Sequence, residues 1–146
     1  MKLSNWYNPL IVFLLRSPLH GMLSQNMMLV TVAGKKSGKR LTLPVNYLCQ
    51  GGEFFTVSWR NRTWWRNLRG GGPAILFVRG QALQGEGEAI TDDVSVTAEL
   101  ARYLGQAPHY AKYLRIALDA AGNPIAAEVA QAARERVMVR FRVASR

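Results

Sequence analysis

The chain has 146 residues, 49% of them apolar, and 19 Lys and Arg against 9 Asp and Glu give a formal charge of +10. That length and apolar fraction suffice for one domain with a real core, residues 1–146, and exclude a wholly disordered chain. The single cysteine, Cys49, excludes an intrachain disulfide framework; it fits a reducing, cytoplasmic compartment and reads as a structural thiol at the end of a strand.

The first apolar run, Pro9-Leu10-Ile11-Val12-Phe13-Leu14-Leu15, stops at Arg16, far short of the roughly 20 residues that span a bilayer. Lys2 gives a signal peptide only a weak basic start, and no clear small-residue cleavage site follows. The run reads as a retained helix over about 8–16, with Asn8 as cap and Pro9 in the first turn. Ser17-Pro18 interrupts it before a second short turn to Ser24. This helical segment, about 8–24, packs on the domain or touches an interface, and peripheral contact with the inner face of a membrane stays open.

Met27–Ala33 is rich in branched residues and predicts a buried strand. Gly34–Gly38 turns the chain, and 41–48 returns as a strand that Pro44 confines to an edge or a bulge. Gln50-Gly51-Gly52-Glu53 is a hairpin signal leading into a strand over 54–59. Thr63 can cap a short helix through Leu68, which Gly70-Gly71-Gly72-Pro73 ends. Two tryptophans side by side on that helix, Trp64 and Trp65, point about 100° apart; one is expected in the core and the other along a pocket or interface.

Strands follow over 74–79 and 81–90, the latter loosened by Gly85 and Gly87. Thr91-Asp92-Asp93 opens a helix to about Leu104, with Val94, Ala98, Ala101 and Leu104 as packing positions. Pro108 opens another through about Leu118, and 125–134 forms a further short helix. Arg136–Val143 alternates strictly: Val137, Val139, Phe141 and Val143 share one face, and Arg136, Met138, Arg140 and Arg142 the other. Six or so hairpin-spaced strands with few intervening helices indicate a mainly β fold, a small antiparallel barrel with peripheral helices. A βαβ nucleotide fold is disfavoured, because no crossover helices separate the early strands.

Charge is concentrated. Residues 35–79 hold nine cations (Lys35, Lys36, Lys39, Arg40, Arg60, Arg62, Arg66, Arg69 and Arg79) against one acid, Glu53. Such a field attracts a phosphorylated cofactor, a nucleic acid or an anionic membrane. Within it, Gly34 and Gly38 free backbone amides to face a ligand, Ser37 adds a hydroxyl, and Lys35, Lys36, Lys39 and Arg40 add charge. The turn is no P-loop, since Lys-Ser-Gly here precedes a strand rather than a helix. A solvated basic hairpin is the plain alternative. The segment from Ser58 to Arg69 adds Arg60, Arg62 and the tryptophans. His20 and His109 lie far apart without ligand spacing, so no metal site is expected, and both read as structural or surface histidines. Neither Ser37 nor Ser58 has an evident general base.

The order Gly-Lys-Lys-Ser-Gly…Pro-Val-Asn-Tyr, then Val-Ser…Trp-Trp-Arg-Asn-Leu-Arg, resembles the deazaflavin (F420)-dependent nitroreductase family, within the split β-barrel group of FMN- and F420-binding proteins. The resemblance runs from Ser17-Pro18-Leu19-His20 to the last strand and is strongest over 34–69. It implies an FMN-binding-protein-like split barrel, a homodimer with ligands near its interface, and a cleft where reduced deazaflavin faces a flat acceptor. On this resemblance Lys36, Ser37 and Gly38 match the turn that receives the cofactor's phosphate-bearing tail. Pro44 matches the proline of the following strand, and Ser58 the serine at the next strand end. Trp64 and Asn67 match the Trp-x-x-Asn-Leu helix.

There are departures. Leu41 stands where the family usually places an arginine, and Arg40, one residue early, leaves a regular strand on the opposite face unless a bulge restores it. The loop after Ser58 is short and lacks paired glycines, Trp59 replaces a commonly basic or small residue, and Arg60 or Arg62 can replace the displaced charge.

The candidate cofactor contacts are therefore Lys35, Lys36, Ser37, Gly38 and Arg40, together with Ser58, Trp59, Arg60, Arg62, Trp64 and Asn67. Tyr47, Tyr110 and Tyr113 are the candidate pocket-lining, catalytic residues; the last two lie three apart on one helix and share a face. The reaction implied is hydride transfer from reduced F420 to a quinone, nitroaromatic or activated enone, with FMN as the alternative cofactor. Two other classes remain: a noncatalytic flavin carrier, and a single-stranded nucleic-acid binder, against which the compactness of the basic cluster counts.

Overall fold

The computed structural model describes residues 27–34 and 38–143. The expected helical segment at 8–24 and the turn residues Lys35, Lys36 and Ser37 lie outside them, as does His20.

Seven antiparallel strands form one sheet: β1 (Met27–Ala33), β2 (Arg40–Asn46), β3 (Leu48–Gln50), β4 (Glu53–Trp59), β5 (Gly72–Val78), β6 (Gln81–Ile90) and β7 (Arg136–Val143). Their order is β2-β1-β5-β6-β7-β4-β3. The sheet's two ends, β2 and β3, are consecutive in the chain and joined through Tyr47 alone. One residue can bridge opposite edges only if the sheet curls on itself, and Thr56 Oγ1 in β4 donates to Asn46 O at 2.6 Å across the gap. The result is a curled antiparallel half-barrel, mainly β with peripheral helices.

The expected strand over 41–48 is thus two strands. Pro44 sits in β2, at the sheet edge, where its missing N–H costs no ladder bond. The Gly51-Gly52 hairpin closes as expected, both glycines at positive φ between Gln50 and its partner Glu53. Gly85 and Gly87 do not loosen β6, which runs unbroken over Gln81–Ile90. They let it lie close to β7: a Cβ on Gly85 would sit 2.2 Å from Arg142 O, and one on Gly87 2.8 Å from the Phe141 ring.

Alternation in β4 and β7 builds two cores. Phe54, Val137, Val139 and Phe141 point into the barrel with Met28, Val30, Val32 and Leu76. Phe55 and Met138 point outward beneath two α-helices, α1 (Asp93–Gln106) and α2 (Ala126–Ala133). Farther along β7 the same outer face is wet, and Arg140 and Arg142 pair with Glu88 and Glu53 directly opposite.

Asp92 caps α1, its carboxylate accepting from Ser95 N at 2.9 Å. The buried face of α1 is Val96, Leu100, Tyr103 and Leu104, whereas Val94 is 81% exposed and Ala98 and Ala101 are exposed too. Of the expected packing positions Leu104 is buried, while the other three lie outside the inward face, which carries the larger apolar side chains. The helix opened by Pro108 is a 3-10 helix that stops at Leu114 rather than about Leu118, because Arg115 turns to φ 58.

Trp64–Leu68 is also a 3-10 helix. Thr63 holds its N-cap position but makes no side-chain capping bond. Both tryptophans are buried in the barrel core, against the expectation that only one would be. A short helix across a concave barrel mouth can bury two faces, which a helix on a flat sheet cannot. Cys49 is exposed on β3 rather than packed.

Candidate functional site

The seam between β2 and β4 carries the candidate site. As an edge strand, β2 presents backbone groups that β1 does not use. Facing it is the end of β4 and the loop into the Trp64 helix. Between them lies a groove of about 190 Å³, lined by Leu43, Pro44 and Asn46 from β2 and by Ser58, Arg62 and Trp64 from β4 and the segment after it, with Met27, Trp59 and Tyr110 also in its wall.

Hydrogen bonds shape the β4 wall. Trp64 Nε1 donates to Ser58 Oγ at 3.1 Å, and Ser58 Oγ donates to Trp59 O at 3.2 Å. Trp65 Nε1 donates to the same carbonyl at 3.1 Å. Ser58 has a single proton and spends it on the backbone, so in this arrangement it positions Trp64 rather than donating to a ligand. Arg62 is exposed, and its side chain makes no hydrogen bond or ion pair among the described residues. It is an exposed cation on the groove wall.

Arg60 is committed elsewhere. Its Nη1 donates to Thr91 O at 2.8 Å and its Nη2 to Arg136 O at 2.9 Å and Ala133 O at 3.1 Å. That fork ties the end of β4 to the starts of α1 and β7 and the end of α2. Asn67 donates Nδ2 to Trp64 O at 3.1 Å, holding the helix that carries Trp64.

The β1–β2 turn tightens as its glycines suggest: Gly38 is at φ 71 and donates to Gly34 O at 2.8 Å, while Gly34 N donates to Lys39 O at 2.7 Å. The register from Met27↔Asn46 to Ala33↔Arg40 is unbroken, so no bulge carries Arg40 onto the other face. Leu43 and Val45 pack against the barrel core, which puts Arg40 with Thr42 on the outer face, where Thr42 Oγ1 lies 2.7 Å from Thr31 Oγ1. Along β2 the turn lies about 20 Å from Asn46, six residues at roughly 3.3 Å each.

All three candidate tyrosines meet at a second cavity of about 190 Å³, which shares Asn46 and Tyr110 with the groove and also takes in Tyr47, Tyr103, His109 and Tyr113. Tyr110 and Tyr113 stack at 5.6 Å between ring centroids, as an i,i+3 pair on a 3-10 helix must, and Tyr110 also meets Tyr103 at 5.3 Å. Tyr47 leans on Phe54 at 5.6 Å. Burial raises the Tyr103 phenol well above its ordinary value, with Tyr110 adding to the shift, so it stays protonated. Sequence reasoning missed Tyr103 and His109; the signal available was the run Pro108-His109-Tyr110, which places His109 beside a residue already singled out. Among the described residues no group of His, Cys, Asp and Glu can hold a metal, and no helix is long and apolar enough to cross a membrane.

No protein-family model and no curated protein matches the chain. Solved structures do. A candidate pyridoxamine 5'-phosphate oxidase from Listeria innocua is 10% identical, over 87% of this chain and 91% of that one, with a TM-score of 0.55. A candidate 5-nitroimidazole antibiotic resistance protein from Bacteroides thetaiotaomicron is 12% identical, over 89% and 80%, at 0.53. The FAD and heme binding protein from Mycobacterium smegmatis is 13% identical, over 88% and 66%, at 0.50. These likenesses show the fold, a split β-barrel of the FMN-binding-protein type.

Proposed function

We propose that the protein binds a flavin-type cofactor along the β2–β4 seam, F420 before FMN, and acts as an oxidoreductase on a flat quinone, nitroaromatic or activated enone. The observation that carries this reading is the groove itself, where the Pro44 edge, Arg62, Trp64 and Tyr110 converge although they are far apart in sequence. Alone it is smaller than the ~300–1,000 Å³ of ordinary ligand pockets. The tyrosine cavity adjoins it, sharing Asn46 and Tyr110 in its wall. The ~20 Å between the turn and Asn46 favours a cofactor with an extended anionic tail.

The residues present fit such a group. The free edge of β2 can meet the polar rim of a planar ring, Trp64 packs against its body, and Arg62 neutralises charge near it. The basic turn, Lys36, Ser37 and Gly38, is the proposed seat of the tail. Bound there, the reduced cofactor supplies the hydride, two electrons in one transfer. The chain's own task is to hold the acceptor at the Tyr110 end, exclude water with Tyr47, Tyr103 and Tyr113, and offer a phenol hydrogen bond from Tyr110 to the acceptor oxygen that gains charge.

The similar Bacteroides protein is a candidate 5-nitroimidazole antibiotic resistance protein, which supports testing nitro compounds among the acceptors. The test is titration of purified protein with F420, FMN, FAD and heme, followed by oxidation of reduced F420 with menadione or a nitroimidazole. F420 binding with turnover is expected. FMN binding without F420 binding rejects the cofactor assignment, cofactor binding without turnover indicates a carrier, and no binding at all removes the reading.

A further inference from the structure

A larger cavity, about 510 Å³, lies beside the seam, between Trp59 and Tyr113, with Arg115, Gln131, Glu135 and Arg136 in its wall. Nothing derived above uses it. Trp59 and Tyr113 are large aromatics left 48% and 64% exposed, and each also borders one of the smaller cavities.

Arg136 is the unusual member. It is 5% exposed, and its guanidinium carbon lies 3.2 Å from the centroid of the Trp59 ring. Its carbonyl accepts from Arg60, yet its side chain makes no hydrogen bond or ion pair among the described residues. A guanidinium has five N–H donors in one plane, and a stacked ring covers a face while leaving those edges open. Desolvation pulls its pKa below the ordinary arginine value; Glu135 and Tyr110 oppose that, and Arg115 reinforces it. None of its nitrogens is both fully buried and without a partner, and Arg136 lines the cavity, so the open edge of the fork can take its acceptor from there, in place of solvent.

We propose that this cavity binds a flat monocarboxylate, its carboxylate on the open edge of Arg136 and its ring between Trp59 and Tyr113. The planar fork matches a carboxylate in two parallel bonds. The lining is balanced, Arg115 and Arg136 with Glu128 and Glu135, so nothing in it offsets the second charge of a dianionic phosphate, and a monocarboxylate on the fork costs less. Glu128 is already engaged by Ala117 N at 3.1 Å, which leaves Gln131 as a further polar contact. Through Trp59 the ligand adjoins the proposed cofactor groove. Identifying it with the acceptor therefore rests on the function proposed above, whereas its binding does not.

The test uses 2-naphthoate, 2-naphthamide and 2-naphthyl phosphate with the full-length protein, by calorimetry and tryptophan fluorescence. Naphthoate is expected to bind at least tenfold more tightly than the neutral amide and more tightly than the phosphate, and to change a fluorescence component absent from Trp59→Phe. Arg136→Met is expected to lose at least tenfold in naphthoate affinity while its Tm stays level or rises, since a merely structural arginine would lower Tm and leave affinity alone. If that variant does not fold, Arg136→Lys and the acid-versus-amide ratio on the unaltered protein decide. Equal affinity for acid and amide, or no naphthoate binding at millimolar concentration, overturns the proposal. Naphthoate binding that persists with saturating F420 or FMN supports a separate site, and displacement by either reassigns the anion to the cofactor's tail and overturns it. Failure of both cofactors to bind would remove the function above and leave the naphthoate result standing.

Discussion

Replacing Arg60 by methionine should destabilise the protein by about 3 kcal/mol, and the figure follows from how its fork is used. Nη1 has one strong acceptor, Thr91 O at 2.8 Å. Nη2 has three oxygens in range, Arg136 O at 2.9 Å, Ala133 O at 3.1 Å and Asp93 Oδ1 at 3.4 Å, but only two hydrogens. The two carbonyls win them on distance, and the Asp93 pair, 33% and 66% exposed on its two sides, contributes little. Three charge-assisted bonds at roughly 1.5 kcal/mol each, the low end because the side chain is a third exposed, set the gross loss. Removing the buried Nε that has no partner returns about 1–2 kcal/mol of it. Urea denaturation followed by fluorescence should show the midpoint lowered by about 1–2 M for a slope of roughly 2 kcal/mol/M. Arg60→Lys, with one point charge where a fork stood, should recover less than half. A methionine variant within 0.5 kcal/mol of the parent would refute the reasoning, because the three carbonyls would then be satisfied without the guanidinium.

Ser58→Ala strands the buried Trp64 Nε1 without its acceptor and should cost about 1–3 kcal/mol, read by the same denaturation; a neutral result would mean that water replaces the hydroxyl. Arg62→Ala removes no side-chain bond within the described chain, so its stability should stay within about 0.5 kcal/mol of the parent. If the proposed cofactor site is right, its F420 affinity should drop by about tenfold and depend less on salt, as titration at two ionic strengths would show. Tyr103 carries a phenol whose folded pKa lies above the unfolded value of 10.0. Its share of stability is whole below about pH 10 and is lost as pH rises past it towards the folded value. Alkaline unfolding of Tyr103→Phe should be shallower than that of the parent in this range, and superimposable curves would remove Tyr103 as the cause.

Much of the fold was readable from local pattern. The branched run gave β1 its bounds, the Gly51-Gly52 pair gave the hairpin, and strict alternation gave β7 from Arg136 to Val143. What period-two alternation cannot tell is which stretch of an outer face lies under a second layer. Arg136, Arg140 and Arg142 look equivalent in sequence, yet the first is covered by Trp59 while the others reach solvent acids. The same blindness affected α1, where the pattern places Leu104 in the core correctly but Val94, Ala98 and Ala101 satisfy the period as well as Val96, Leu100 and Tyr103, which carry the larger side chains and are the ones buried. In the site, the tyrosines were legible by type and spacing, but their meeting with Tyr47 depends on the one-residue link that closes the barrel, a long-range consequence of strand order.

The same distinction limits what a charge count can say about ligands. Nine cations between 35 and 79 read as one basic field, but the fold divides them by task. Arg60 is spent on carbonyls. Arg66 and Arg69 lie over the Trp65 ring at 5.7 and 5.0 Å. Arg79 takes φ 52 in the tight β5–β6 turn beside Gly80. Among the described cations only Arg62 lines the groove, while Arg40 lies three residues, about 10 Å, along β2 from the nearest groove residue, Leu43. A nucleic-acid strand needs a continuous track of phosphate contacts and gains from each in turn. The described cations form no such track, and this is why the function proposed above is a single tailed, planar molecule rather than a polymer.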